Sequence, residues 1–73
     1  MKVSYDPQVD AMYIRFLDGS VEVTTHRLSE EVAVNYSPDG RIVGIEILDA
    51  SAVVFSPGQE GRIEVENLTP VPA

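Results

Sequence analysis

Apolar residues return at every second position through several short stretches of this chain, the spacing of strands that bury one face and not of helices. Five stretches carry it: Lys2 to Tyr5, Ala11 to Leu17, Val21 to Leu28, Val32 to Tyr36 and Arg41 to Leu48. A sixth candidate runs from Arg62 to Glu66, where Ile63 and Val65 alternate with charges. The connections are short and carry turn chemistry: Asp6-Pro7, Asp18-Gly19, Ser29-Glu30 and Pro38-Asp39-Gly40. Parallel neighbours need crossovers of about a dozen residues or more, which these connections do not supply. The pattern predicts a mainly β fold, α+β at most: a single antiparallel β-meander of about five strands.

Alternation also assigns the faces. Met12, Ile14 and Phe16 share a side with Val43, Ile45 and Ile47, and Val3, Tyr5, Val34 and Tyr36 join them as the expected core. On the other side Tyr13 and Gly44 are suited to neighbouring strands, an aromatic covering a glycine, with an Arg15–Glu46 salt bridge beside them. After the fifth strand, Asp49 followed by Ala50, Ser51 and Ala52 is placed to cap a short helical turn. Val53, Val54 and Phe55 either end that turn or begin a strand. Residues 1–68 are expected to form the domain. The tail Thr69-Pro70-Val71-Pro72-Ala73 suits neither sheet nor helix and is expected to be flexible or to bind a partner.

Residues 3–23 laid on residues 34–54 without a gap match at eight of 21 positions: Val3 with Val34, Tyr5 with Tyr36, Pro7 with Pro38, Ile14 with Ile45, Leu17 with Leu48, Asp18 with Asp49, Ser20 with Ser51 and Val23 with Val54. One reading is a duplicated hairpin with a pseudo-twofold site between its copies. The other, which asks for less, is that two hairpins with equal proline turns select similar residues.

A chain of 73 residues has a thin core, burying only about 60% of the surface its unfolded form exposes. Without cysteine it has no disulfide framework, no thiol nucleophile and no cysteine zinc site, so self-association is the remaining route to further burial. Twelve acidic residues against five basic ones give a net charge of -7, which disfavours nucleic acid and anionic membrane surfaces and suits a small basic protein partner, or solubility alone. The chain has no apolar run long enough to span a bilayer, and its Met1-Lys2-Val3-Ser4-Tyr5-Asp6 start has no secretory apolar stretch, so a cytoplasmic location is expected.

Chemistry-bearing patterns are few. Asn35, Ser37, Asp39, Gly40, Ile42 and Glu46 fall on positions 1, 3, 5, 6, 8 and 12 of a calcium-binding EF-hand loop. That loop needs a helix on each side, whereas strand alternation flanks this one, Pro38 removes an amide donor and Asn35 replaces the usual first carboxylate; a Pro-Asp-Gly hairpin turn is the expectation. His26 has no second imidazole to share a metal with and reads as an exposed strand residue. No elbow for a nucleophilic serine and no glycine-rich phosphate loop is present. Asp6, Asp10, Asp18, Asp39, Glu46 and Asp49 fall at hairpin ends, where paired carboxylates serve acid and base roles or hold a hard cation in some proteins, but turns and caps ordinarily use such residues. The chain is therefore expected not to be an enzyme, with no catalytic, cofactor-binding or metal residues and no cofactor.

Tyr5-Asp6 with Asp10-Ala11-Met12-Tyr13-Ile14-Arg15, then Asp39-Gly40-Arg41-Ile42-Val43-Gly44-Ile45-Glu46-Ile47-Leu48-Asp49-Ala50-Ser51, resembles a family of very short bacterial proteins known only as a domain of unknown function. The resemblance covers residues 2–51, and its signature is the stretch from Gly44 to Ser51. It implies an acidic β-meander without catalytic residues, and some members resemble the antitoxin half of small toxin and antitoxin modules. This chain departs from the pattern at Asn35 and Ser37, where aspartates are common, and in its extension after Ser51. Three functions follow as expectations: a non-catalytic interaction module that pairs with itself as a homodimer or higher oligomer, an antitoxin-like partner of a small basic protein, or a small-ligand or cation-binding domain.

Overall fold

The computed structural model describes residues 1–19, 22–59, 62–64 and 66. Its core element is a five-stranded antiparallel sheet built from β1 (Lys2–Asp6), β2 (Ala11–Arg15), β3 (Thr24–Arg27), β4 (Val32–Tyr36) and β5 (Ile42–Ile47), followed by one helical turn, α1 (Ala50–Val53). The mainly β, antiparallel class is what alternation predicted, and the helical turn falls where the Asp49 to Ala52 stretch placed it. The spatial order is β1-β2-β5-β4-β3. A hairpin, β1–β2, and a three-strand meander, β3–β4–β5, are thus joined through β2 and β5.

The internal repeat has a geometric counterpart. Val3 pairs with Ile14 in the first hairpin, and their equivalents Val34 and Ile45 pair in the second, so the two hairpins share one register. Across the join, Ile14 pairs directly with Ile45, its own equivalent. A half-turn about that pair carries β2 onto β5 and β1 onto β4. The axis passes between two isoleucines on one face of the sheet, and β3 has no counterpart beside β1 among the described residues.

Paired residues of an antiparallel sheet point to one side. Val3, Tyr5, Met12, Ile14, Ile45, Ile47, Val32, Val34 and His26 therefore share the first face. Ser4, Tyr13, Glu46, Ala33 and Arg27 form one row of the second face, and Lys2, Arg15, Gly44, Asn35 and Thr25 form the next. α1 packs on the first face, where Ala50 is fully buried against Met12 and Ile47, with Val3, Tyr5, Ile14, Ile45 and Phe55 around them. The Phe55 ring meets Tyr5 edge-on at 5.1 Å between centroids. Val53 and Val54 end the helical turn and remain exposed.

Of the expected core, Met12, Val34, Val43 and Ile47 are buried, and Val3, Tyr5, Ile14, Tyr36 and Ile45 are half-buried. Phe16 departs from the expectation, remaining 42% exposed. β2 ends at Arg15, and the amides of Phe16 and Leu17 both donate to the Val43 carbonyl, at 2.8 and 3.3 Å. Two consecutive donors on one acceptor break the two-residue alternation that would have turned Phe16 inward. The β4–β5 register also shifts next to Val43, between Asn35 and Tyr36. Among the described residues, Ala33, Gly44 and Ala50 are the buried positions outside the expected core.

The sixth candidate strand does not form where it is described: Arg62, Ile63, Glu64 and Glu66 carry no strand pairing, and Arg62 instead pairs with Glu64 at 2.7 Å, both side chains largely exposed. Val65 and the Thr69–Ala73 tail lie outside the described residues. No helix among the described residues is long and apolar enough to cross a membrane.

Candidate functional site

Two side-chain constellations stand out, one at each face. At the first, Asp10 ends the β1–β2 turn in the left-handed region, φ 55°, which an aspartate tolerates better than most residues. That backbone turn aims its carboxylate at the start of α1. Oδ1 accepts the Tyr5 hydroxyl at 2.6 Å and the Ser51 amide at 3.0 Å, Oδ2 accepts the Ser51 hydroxyl at 2.6 Å, and the Asp10 carbonyl accepts the Ala50 amide at 2.9 Å. These bonds, the Ser51 hydroxyl foremost and then the Tyr5 hydroxyl, hold the Asp10 carboxyl below the ordinary aspartate value.

Sequence spacing assigns the cap of this turn to Asp49, whereas the structure gives that role to another residue. Asp49 occupies the position before α1 but sits in the left-handed region, φ 50°, and makes no side-chain bond to the helix. The carboxylate that meets the amides comes instead from Asp10, on the other side of the sheet join, because Met12 pairs with Ile47 and brings the two strand ends together. Nothing in the local sequence around residue 49 could reveal this. The signal lay in the β2–β5 register.

The second face carries a polar line across three strands. Tyr13 lies over Gly44, where an added Cβ would come within 2.7 Å of its ring Cε1. The Tyr13 hydroxyl accepts the Asn35 amide at 3.1 Å, and the Asn35 carbonyl oxygen accepts the Thr25 hydroxyl at 2.7 Å. Arg15 stands 5.6 Å from the centre of the Tyr13 ring and donates to the Leu17 and Gly19 carbonyls, each at 3.4 Å. The aromatic-over-glycine contact is thus as expected, whereas Arg15 is turned to the ring and the 17–19 carbonyls rather than to an ion pair with Glu46. Ser4, Asp6, Ala11, Tyr13 and Glu46 border a shallow depression of about 330 Å³ beside β1 on this face.

The calcium-loop spacing falls on a hairpin. Asn35 and Glu46 lie within β4 and β5, and the Ser37 amide donates to the Arg41 carbonyl at 2.8 Å to close the turn, with Gly40 at φ 87°. Ser37 donates its hydroxyl to Asp39, which holds the Asp39 carboxyl below its ordinary value. His26 is exposed on β3 and meets the Tyr36 ring edge-on at 6.5 Å. The acidic residues at the hairpin ends are dispersed: Asp6 accepts the Gln8 amide at 3.0 Å, and Asp18 and Asp49 are exposed. Among the described residues, no three of His, Cys, Asp and Glu stand together as metal ligands would.

No curated protein and no solved structure matches this chain. The family model described as "Protein of unknown function (DUF2283)" matches residues 2–51, the sheet together with the first residues of α1 that Asp10 holds, and the chain belongs to that family.

Proposed function

We propose that the domain is a non-catalytic protein-interaction module that associates with itself. The observation that carries this reading is the thin cover over the sheet. A single helical turn covers part of one face, the buried apolar side chains among the described residues are Met12, Ala33, Val34, Val43, Ile47 and Ala50, and Phe16, Leu28 and Ile42 stay exposed. A chain of this size gains stability by covering such surface with a second copy. Light scattering at tens of micromolar is expected to give twice the 8.0 kDa chain mass or a higher multiple. A monomer at that concentration sinks the reading.

Charge supports a second reading, an antitoxin-like partner for a small basic protein. Lys2, Arg15 and Arg27 share the second face with Asp6 and Glu46, so the acidic excess is concentrated in the connections, at Asp10, Asp18, Glu22, Glu30, Glu31, Asp39 and Asp49. A partner bound there would be released as salt rises. Capture of the tagged chain from its host at two salt concentrations tests this reading, and recovery of the chain alone at both counts against it.

A further inference from the structure

The geometry points to the outer edge of β3 as the surface through which a second copy of this chain adds, antiparallel, with His26 facing His26 across the twofold axis. This inference rests on the self-association proposed above and gives it a place and a register.

Among the described residues β3 is the last strand of the sheet, and Thr24, Thr25, His26 and Arg27 are all exposed. The direction of its backbone groups follows from one bond. The Leu28 amide donates to the Val32 carbonyl at 2.8 Å, which makes that pair a hydrogen-bonded one. Bonded pairs alternate along an antiparallel ladder, so His26 with Val34 and Thr24 with Tyr36 are bonded pairs as well. The N–H and C=O groups of Thr25 and Arg27 therefore point away from β4, out of the sheet edge.

Such an edge invites another strand: these four residues carry no proline, lysine or bulge, and only the shortness of β3 and the charge of Arg27 oppose further pairing. A second β3 supplies what this edge lacks. In one symmetric register Thr25 of each copy pairs with Arg27 of the other, which satisfies all four outward groups of each strand using strand residues alone. Shifting the axis to Thr25 would require Val23, outside β3, as a partner for Arg27. Shifting it to Arg27 would set two guanidinium side chains opposite each other and bring in Ser29 of the turn. The favoured register places His26 against His26 as a non-bonded pair and sets Leu28, 63% exposed, opposite the second copy's Thr24.

The chain has no cysteine, so single cysteines report the register directly. Non-bonded pairs stand about 4.5 Å apart at Cα, within the range a disulfide spans. His26→Cys at tens of micromolar under mild oxidant is expected to form a covalent dimer, and Thr25→Cys, whose partner is Arg27, is expected not to. A Thr25→Pro variant, which removes an outward N–H that the sheet itself does not use, is expected to be monomeric with its strand circular dichroism intact, whereas Thr25→Val, which loses only the hydroxyl bond to Asn35, is expected to stay dimeric. Cross-linking through Thr25→Cys alone would overturn the His26 axis. Cross-linking through neither cysteine, with the unmodified chain still dimeric by light scattering, would move the interface away from β3 and leave self-association standing. A monomeric unmodified chain would remove both.

Discussion

Tyr13 and Gly44 hold β2 and β5 together from the side of the sheet opposite α1, although they are not paired in register. Tyr13 is opposite Glu46, and Arg15 is opposite Gly44, so the ring leans diagonally over the glycine to reach Asn35 on the next strand. In the internal repeat Tyr13 and Gly44 are equivalent positions. One copy supplies the ring and the other the space for it, which is where the pseudo-twofold symmetry of the hairpins is broken.

The first prediction follows from that fit. Gly44→Ala forces the Tyr13 ring aside and breaks its bond to Asn35, at a cost of about 1–3 kcal/mol, the usual range for overpacking. With Tyr13→Ala already in place, the same Gly44→Ala change becomes neutral or stabilising by up to about 1 kcal/mol, because alanine is the better strand residue where φ is ordinary. Urea unfolding of the four variants measures the cycle. Equal costs in both backgrounds would mean that the ring does not depend on the missing side chain.

The Asp10 carboxylate makes stability depend on pH with a definite sign. Its value in the folded chain is lowered below 3.8 by Ser51 first and Tyr5 next. A group depressed on folding contributes stability that is present above its unfolded value and lost as pH falls through its folded value. Asp10→Asn keeps the shape and removes the charge, so it is expected to be less stable than the parent at pH 7, with the gap closing below about pH 4. Asp39, lowered by Ser37, titrates in the same direction in both proteins, and the difference between them isolates Asp10. Thermal melts from pH 7 to pH 2.5 read it, and a gap independent of pH would show that the carboxylate charge does not matter to the clasp.

The two aspartates with positive φ should respond oppositely to glycine. Asp49→Gly relieves a left-handed backbone at a side chain with no bond to the helix, and is expected to be neutral or stabilising by up to about 1 kcal/mol. Asp10→Gly relieves the same strain but removes the acceptor for Tyr5 and Ser51, and is expected to destabilise. Guanidinium unfolding distinguishes them, and a destabilised Asp49→Gly would return the cap to residue 49.

These contrasts show which parts of the structure were legible in the sequence. Period two located the five strands because each buries alternate residues: β4 agrees with the expected segment residue for residue, β1 runs one residue beyond its segment, and β2, β3 and β5 fall short by one to three residues at an end. The turn at Pro38-Asp39-Gly40 and the ring over Gly44 were legible for similar reasons, since each depends on residue types that few positions accept. The Asp10 clasp was not, because its Ser51 partner lies 41 residues away and meets it only once β2 has chosen β5 as neighbour. Phe16 was misplaced because the shared acceptor at Val43 is a long-range backbone event that leaves no mark on the spacing.

That last point gives a test of where the core lies. Phe16 and Met12 sit four residues apart with the same parity, and alternation alone treats them as equivalent. Met12 is 5% exposed beneath α1, beside Ile47 and Ala50, so Met12→Ala opens a cavity and is expected to cost about 2–5 kcal/mol. Phe16 is 42% exposed, so Phe16→Ala is expected to cost well below the roughly 3–5 kcal/mol of a core phenylalanine. Unfolding measured at a concentration low enough to keep both variants monomeric compares them on equal terms. If Phe16→Ala proved the costlier change, the end of β2 would continue inward and the shared Val43 acceptor would have to be abandoned.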